Sequence, residues 1–186
     1  MPVVSVTLLP GYAPEVEQRL VERLARTTRS VIAAPAAGTI VYVQHANTYQ
    51  RDGKVMGGGG PAMADASAVV RAFLEAMQSR DLEAAQRFLA PEFAMHFPGS
   101  GPLHRLQELV DWSRTRYKHV GKTFERFEEC WGEDRTVVFC SGTLHGEWLD
   151  GNKFEGIRFV DRFEVSDGLL QRQDVWNDLE LHRPEA

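Results

Sequence analysis

Two residues in this chain have the right chemical type, in the right kind of place, to move protons. The chain opens Met1-Pro2-Val3-Val4-Ser5-Val6-Thr7-Leu8-Leu9. A small residue after an initiator methionine permits its removal, which would leave Pro2 a free secondary amine heading an apolar, β-favouring run. Burial disfavours the ammonium form of such an amine, and a neutral amine is a general base. Proline at position 2 is equally compatible with no role. The other residue is Asp161. Around it Ile157, Phe159, Asp161, Phe163 and Val165 alternate with Arg158, Val160, Arg162, Glu164 and Ser166. The period of two puts Asp161 in the middle of an otherwise apolar strand face. A buried carboxyl must be paired, hydrogen-bonded or protonated. It is then either a proton donor in a desolvated site or a structural acid held by an arginine or a tryptophan N–H. In the following strand Asp174 and Trp176 share a parity, so Asp174 is expected in the same cavity, with His96 as a possible helper.

The elements that position Pro2 form a β-α-β unit. The turn Pro10-Gly11-Tyr12-Ala13-Pro14 follows the first strand, and a helix is expected from Pro14 to Ala33. Its apolar residues Val16, Leu20, Leu24 and Val31 recur at helical spacing. Pro14, Glu15 and Glu17 suit its first turn, and Ala34-Pro35 stops it. A second strand spans 39 to 43, and a hairpin turns at Asp52-Gly53. The two main strands should be parallel, joined by a right-handed crossover.

This arrangement resembles the 4-oxalocrotonate tautomerase family over residues 2 to about 60. The matching features are Pro2, the turn at Pro10-Gly11, the helix length, the Ala34-Pro35 break, strand 39 to 45 and the close at Gly57-Gly58. The resemblance implies that Pro2 is a general base moving a proton between carbons of an enol or dienol. The family's two arginines are missing, replaced by Tyr12 and by Ile40 or a neighbour. Arg51 and Lys54 are the local cations that could substitute, and both also read as ordinary solvated turn charge. Tyr12, Tyr42 and His45 could donate hydrogen bonds to an enolate oxygen, or serve as packing or surface.

The chain has 186 residues, 43% hydrophobic and 25% charged, with net charge −5. These values suit a globular protein of two small domains. Gly57-Gly58-Gly59-Gly60-Pro61 and the residues to Ala66 have linker composition. The expected division is a domain over 1–60 and a second over 61–186. A unit of about sixty residues buries little surface alone, so a homo-oligomer is expected, a hexamer or a dimer. No basic patch suggests nucleic acid, and no apolar run reaches membrane-span length. Arg19 and the early acids break any signal-peptide pattern, so a cytoplasmic location is expected. Cys130 and Cys140 form no metal-binding spacing with histidines. No metal and no cofactor is expected, and the partner is a small molecule.

The second half reads as helices followed by long strands. Helices are expected over 67–79, 82–89 and 103–119, a short strand over 92–97, and long strands over 122–131, 136–148, 153–166 and 169–181. Turns at 132–134, 150–152 and Asp167-Gly168 imply an antiparallel sheet, and an α+β fold follows. This order, with Arg80-Asp81-Leu82 between the first helices and the closing phrase Asp161-Arg162-Phe163-Glu164-Val165-Ser166-Asp167-Gly168-Leu169, resembles the SnoaL-like branch of the nuclear-transport-factor-2-like superfamily over residues 65 to 182. The resemblance implies a cone: a curved sheet wrapped around a pocket and closed by helices. Asp161 matches the protonated oxyanion-hole acid of ketosteroid isomerase, and Asp174 matches an acid-base aspartate of cyclases and epoxide hydrolases. The isomerase's tyrosine position is Phe73 here, and its base position falls near His96 or Phe97. Phe73, Met77, Phe159 and Trp176 are the expected pocket lining. The expected activity is tautomerase or isomerase chemistry. The alternatives are a non-catalytic binding or assembly protein, or a SnoaL-like cyclase or hydratase active only in the carboxy-terminal domain.

Overall fold

The computed structural model describes residues 1–56 and 62–183. The chain divides into two compact units, Met1–Ala62 and Met63–Ala186. The glycine-rich stretch 57–60 and Pro61, expected as a linker and as the end of the tautomerase-like pattern, lie outside the described residues.

In the amino-terminal unit β1 (Val3–Leu8) runs parallel to β2 (Ile40–His45), with Val3 opposite Ile40 and Leu8 opposite His45. The crossover is α1 (Pro14–Ile32), which ends where Ala33 turns left-handed at φ 51°. Proline sits in its first turn and Glu15 and Glu17 face its positive end, as its sequence requires. Val31 does not join the packed stripe and is 76% exposed, because it falls in the last turn, beyond the sheet α1 covers. β3 (Tyr49–Arg51) and β4 (Lys54–Met56) form a hairpin. Asp52 and Gly53 both have positive φ, 50° and 74°, the conformation a tight two-residue hairpin turn needs.

In the carboxy-terminal unit α2 (Ala66–Gln78), α3 (Leu82–Gln86) and α4 (Leu106–Ser113) accompany one five-stranded sheet. The strand order is β5-β9-β8-β7-β6, from β5 (Leu89–His96), β6 (Tyr117–Trp131), β7 (Thr136–Trp148), β8 (Lys153–Ser166) and β9 (Leu169–Asn177). A short 3-10 turn, Leu179–His182, follows β9. Asp65 and Asp81 cap α2 and α3 through the backbone N–H groups of Ala68 and Ala84, which satisfies donors that helices leave free.

Three expectations need correction. The third helix stops at Ser113, and residues 117–121 open β6, because Tyr117 pairs with Trp148 and His119 with Glu147. Cross-strand pairing there overrides helical spacing. The second helix ends at Gln86, Arg87 and Phe88 turn, and Leu89, expected as its last residue, begins β5. The sheet is also not wholly antiparallel, since the edge strand β5 runs parallel to β9.

The long strands bend. β6 slips register against β7 between Tyr117 and His119 and again between Phe124 and Arg126, and such bulges kink and twist a ladder. At Gly142, opposite Phe124, an added Cβ would stand 2.0 Å from the Thr123 carbonyl oxygen. Only glycine allows the two backbones to approach so closely there. The result is a curved sheet whose inner face carries Val138, Cys140, Leu144, Ile157, Phe159, Phe163 and Val165, all buried. Phe73 of α2 meets Phe163 edge-on at 6.0 Å and Phe93 at 6.3 Å.

Candidate functional site

Asp161 occupies the centre of β8 and is 0% exposed, on the apolar face that strand periodicity assigns it. Its partner is neither arginine nor tryptophan. The ammonium of Lys122, from β6, donates to Oδ2, and the Gln173 amide of β9 donates to the same oxygen at 3.2 Å. Oδ1 is buried and has no hydrogen-bond partner among the described residues. Three strands thus converge on one carboxylate. Lys122 Nζ also lies 4.5 Å over the ring centre of Phe159, close enough for the ring to attract the cation. The neighbouring Cys140 thiol is pushed up to about 12, first by burial and then by the charge of Asp161.

In front of this cluster is a cavity of about 120 Å³. Phe73, Leu74, Met77, Phe97, Leu109, Val120 and Phe124 supply apolar wall, with Lys122, Gln173, Tyr117 and Arg80 among its polar groups. The Tyr117 phenol is pushed above its ordinary value by burial, so it is a hydroxyl donor at neutral pH. Lys122 reaches the cavity with a side chain 19% exposed, while Asp161 stays behind it. A second, smaller cavity is lined by Phe97, Trp112, Arg116, Tyr117, Lys122 and Phe159, among others.

Asp174 does not share this cavity. The β8–β9 register sets Asp161 against Val175 and Phe163 against Gln173, so the odd positions of β9 face inward there. Asp174 stands opposite Arg162 on the other face. It accepts from Arg172 Nε at 2.9 Å and from Arg162 Nη1 at 3.2 Å. His96 lies with it, Nδ1 3.2 Å from Oδ1 but outside hydrogen-bond geometry. Glu164 continues this outer network. Burial pushes its carboxyl up, but hydrogen bonds from Arg162 and Arg135 outweigh that and hold it below the ordinary range. Trp176 is 54% exposed on the same outer face. Of the expected pocket residues, Phe73 and Met77 line the first cavity and Phe159 the second. His96, Asp174 and Trp176 line neither.

The cause of the Asp174 error is one residue. Val165 pairs with Leu170 and Glu164 with Arg172, leaving Gln171 as an extra residue. Leu170 is buried, which makes even positions look inward from the start of the strand. The bulge reverses the parity before Asp174 is reached. Lys122 was missed because the bulge after Phe124 hides the inward pattern of β6. The only sequence signal for it is a lysine two residues before an aromatic in a strand.

In the amino-terminal unit Pro2 is partly buried, and its carbonyl accepts from Ile40 N at 3.1 Å. Tyr42 pairs with Ser5 and is exposed, and Arg51 is exposed beside Asp52. Tyr12 follows the far end of β1, where Leu8 pairs with His45. Six strand residues separate that end from Pro2, roughly 20 Å at 3.3 Å per residue. A single subunit therefore does not bring Tyr12 or His45 to Pro2. His45 instead meets Glu17 at 2.7 Å. Among the described residues no group of histidine, cysteine, aspartate and glutamate could hold a metal ion, and no helix is long and apolar enough to cross a membrane.

Comparison with known proteins bears on the carboxy-terminal unit. The model of a SnoaL-like domain matches residues 70–173. A protein of unknown function from Burkholderia pseudomallei, described as NTF2-like, superposes with a TM-score of 0.53 at 21% identity, over 64% of this chain and 95% of its own. TerC, co-crystallised with polyporic acid, gives 0.52 at 21% identity, over 62% of this chain and 92% of its own. A proposed polyketide cyclase from Xanthomonas campestris gives 0.50 at 16% identity, over 63% and 93%. No curated protein matches the chain. The family match covers more than half of the chain, so the protein belongs to the SnoaL-like domain family, and the solved structures share its NTF2-like fold.

Proposed function

We propose that this SnoaL-like protein is an isomerase- or cyclase-type enzyme for a small apolar molecule bearing a carbonyl or enol, and that Lys122 meets the substrate oxygen. The observation that carries this reading is one ammonium lining a largely apolar cavity and backed by a fully buried carboxylate. A cation fixed in a largely apolar cavity stabilises negative charge developing on an enolate oxygen with little reorganisation. Asp161 is a positioning residue that holds the ammonium, and Gln173 holds Asp161 in turn. This departs from the expected role of Asp161 as a protonated donor to the ligand, because the Lys122 ammonium pairs with Oδ2 and Asp161 is not among the residues lining either cavity. Among the described residues no carboxylate or histidine lines the cavity, so these residues supply electrophilic help rather than a base. Such a set suits substrates whose C–H is already acidic, such as 1,3-dicarbonyl compounds, whose α-proton passes to water while Lys122 stabilises the enolate oxygen. The cyclase and polyporic acid relatives support the class by analogy of fold.

The test is hydrogen–deuterium exchange next to the carbonyl of bound 1,3-diketones, followed by NMR. Lys122→Met alone would strand a buried carboxylate, at about 3–5 kcal/mol. The double variant Lys122→Met/Asp161→Asn removes both charges, and exchange is expected to fall by about 10²-fold or more. An unchanged rate in the folded double variant sinks the proposal.

A second reading concerns the amino-terminal unit, as a tautomerase with Pro2 as base. It is supported by Pro2 standing at the head of β1, in a parallel β1-α1-β2 unit. On this reading further copies of the chain cover the unit and supply its missing binding groups. Pro2→Ala should abolish ketonisation of phenylenolpyruvate once intact mass shows Met1 removed. Equal rates exclude it.

A further inference from the structure

The two cavities of the carboxy-terminal unit share Phe97, Tyr117, Val120 and Lys122, so they are neighbouring chambers with Lys122 at the junction. Among the described residues three cations line them, Arg80, Lys122 and Arg116, and no aspartate or glutamate lines either. Two of the three are neutralised from behind. Lys122 pairs with Asp161, and Arg116 donates to Glu180 at 3.0 Å while stacking over Trp112. Arg80 has no acidic partner among the described residues. Even its neighbour Asp81 is committed to capping α3.

The backbone at Arg80 adds a second observation. Its φ is 62°, in the left-handed region where glycine is the unstrained choice and other residues carry a cost. The chain thus places an arginine where glycine would fit more easily, and its side chain lines the first cavity.

We infer that the site takes an apolar anion, whose acid group is received by Arg80 while its reactive oxygen meets Lys122. This rests on the carbonyl-binding role given to Lys122 above and narrows the substrate to apolar carboxylic acids or acids of similar charge. A carboxylate in the outer part of the cavity finds a guanidinium without a competing acid, and the planar fork matches its two oxygens. The plainer role for Arg80 is to complement the negative end of α2. That role predicts a change in stability and none in ligand charge preference.

The experiment compares 2-naphthoate with methyl 2-naphthoate by calorimetry at pH 7, on the full chain. The wild type should bind the acid about tenfold more tightly than the ester. Arg80→Gly relieves the backbone while removing the charge, so Tm should hold or rise. It should erase the preference by weakening the acid about tenfold and leaving the ester within about twofold. Arg80→Lys should keep part of the preference. Equal affinities in the wild type, or a preference that survives Arg80→Gly, overturn the inference and leave the role of Lys122 standing if the ester binds. Binding of neither probe overturns both.

Discussion

The two units of this chain are built from equally clear local patterns and reach different degrees of completion. α2 buries Ala66, Val70, Phe73 and Leu74, whereas α1, with 19 residues, buries none. No described residue of the amino-terminal unit is fully buried, while every buried hydrophobic residue lies at or beyond Ala66. In β1 and β2 one face is half-covered, and the other presents Val3, Ile40 and Tyr42 to solvent. Two strands and one helix cannot enclose apolar surface from both sides. The five-stranded sheet can, because it curves and its inner face packs against α2, with Phe163 on Phe73. Local spacing marks most elements in both units. A core needs a second layer, and the described residues of the first unit do not supply one.

The largest expected effect separates the two directly. Phe163 is 0% exposed and packs on Phe73, so Phe163→Ala should cost about 3–5 kcal/mol in chemical denaturation. Val4→Ala, at a half-covered position in β1, should cost under about 1 kcal/mol in the isolated subunit. Similar losses at the two positions would dissolve the contrast. Next in size is assembly. If copies of the chain cover the open face of β1 and β2, Ile40→Asp should shift sedimentation toward monomer and leave the thermal transition of the carboxy-terminal unit in place. A monomeric wild type at micromolar concentration removes the premise.

The smallest effect uses the two thiols as probes of closure. Cys130 is exposed and Cys140 is buried. At pH 8 a thiol reagent should titrate one group per native chain and two after unfolding. The Cys140 value is raised from 9.0 to about 12, so the unfolded chain releases this proton first. Its contribution to stability is complete below pH 9 and declines as pH rises from 9 toward 12. Reaction of both thiols in the native chain would show that the inner face opens readily.

Much of the architecture was legible from spacing. The parity of Ile157 to Val165 placed Asp161 inward, and Asp52-Gly53 and Asp167-Gly168 marked turns that the backbone adopts. The α+β class and the SnoaL-like pattern followed from element order. The partners of Asp161 were not legible. Lys122 lies 39 residues away and Gln173 lies 12 away, and each is brought to the carboxylate by a register that depends on a bulge. Residues 114–119 look helical in isolation, yet Tyr117 and His119 are claimed by β7. In each case the deciding contact is non-local, and a single chain of letters carries no measure of it.

Gln171 carries a consequence of its own. Strand side chains are read two at a time, and one surplus residue acts on them as an inserted base acts on codons. Upstream of it β9 buries Leu170, and downstream it buries Gln173 and Val175. Without that insertion the same letters would present Asp174 and Trp176 to the inner face and turn Gln173 outward. The composition of the site is thus set by a phase as well as by its side chains. Related domains that differ only in this frame would present an acid where this chain presents an amide, with no substitution at any chemically active position.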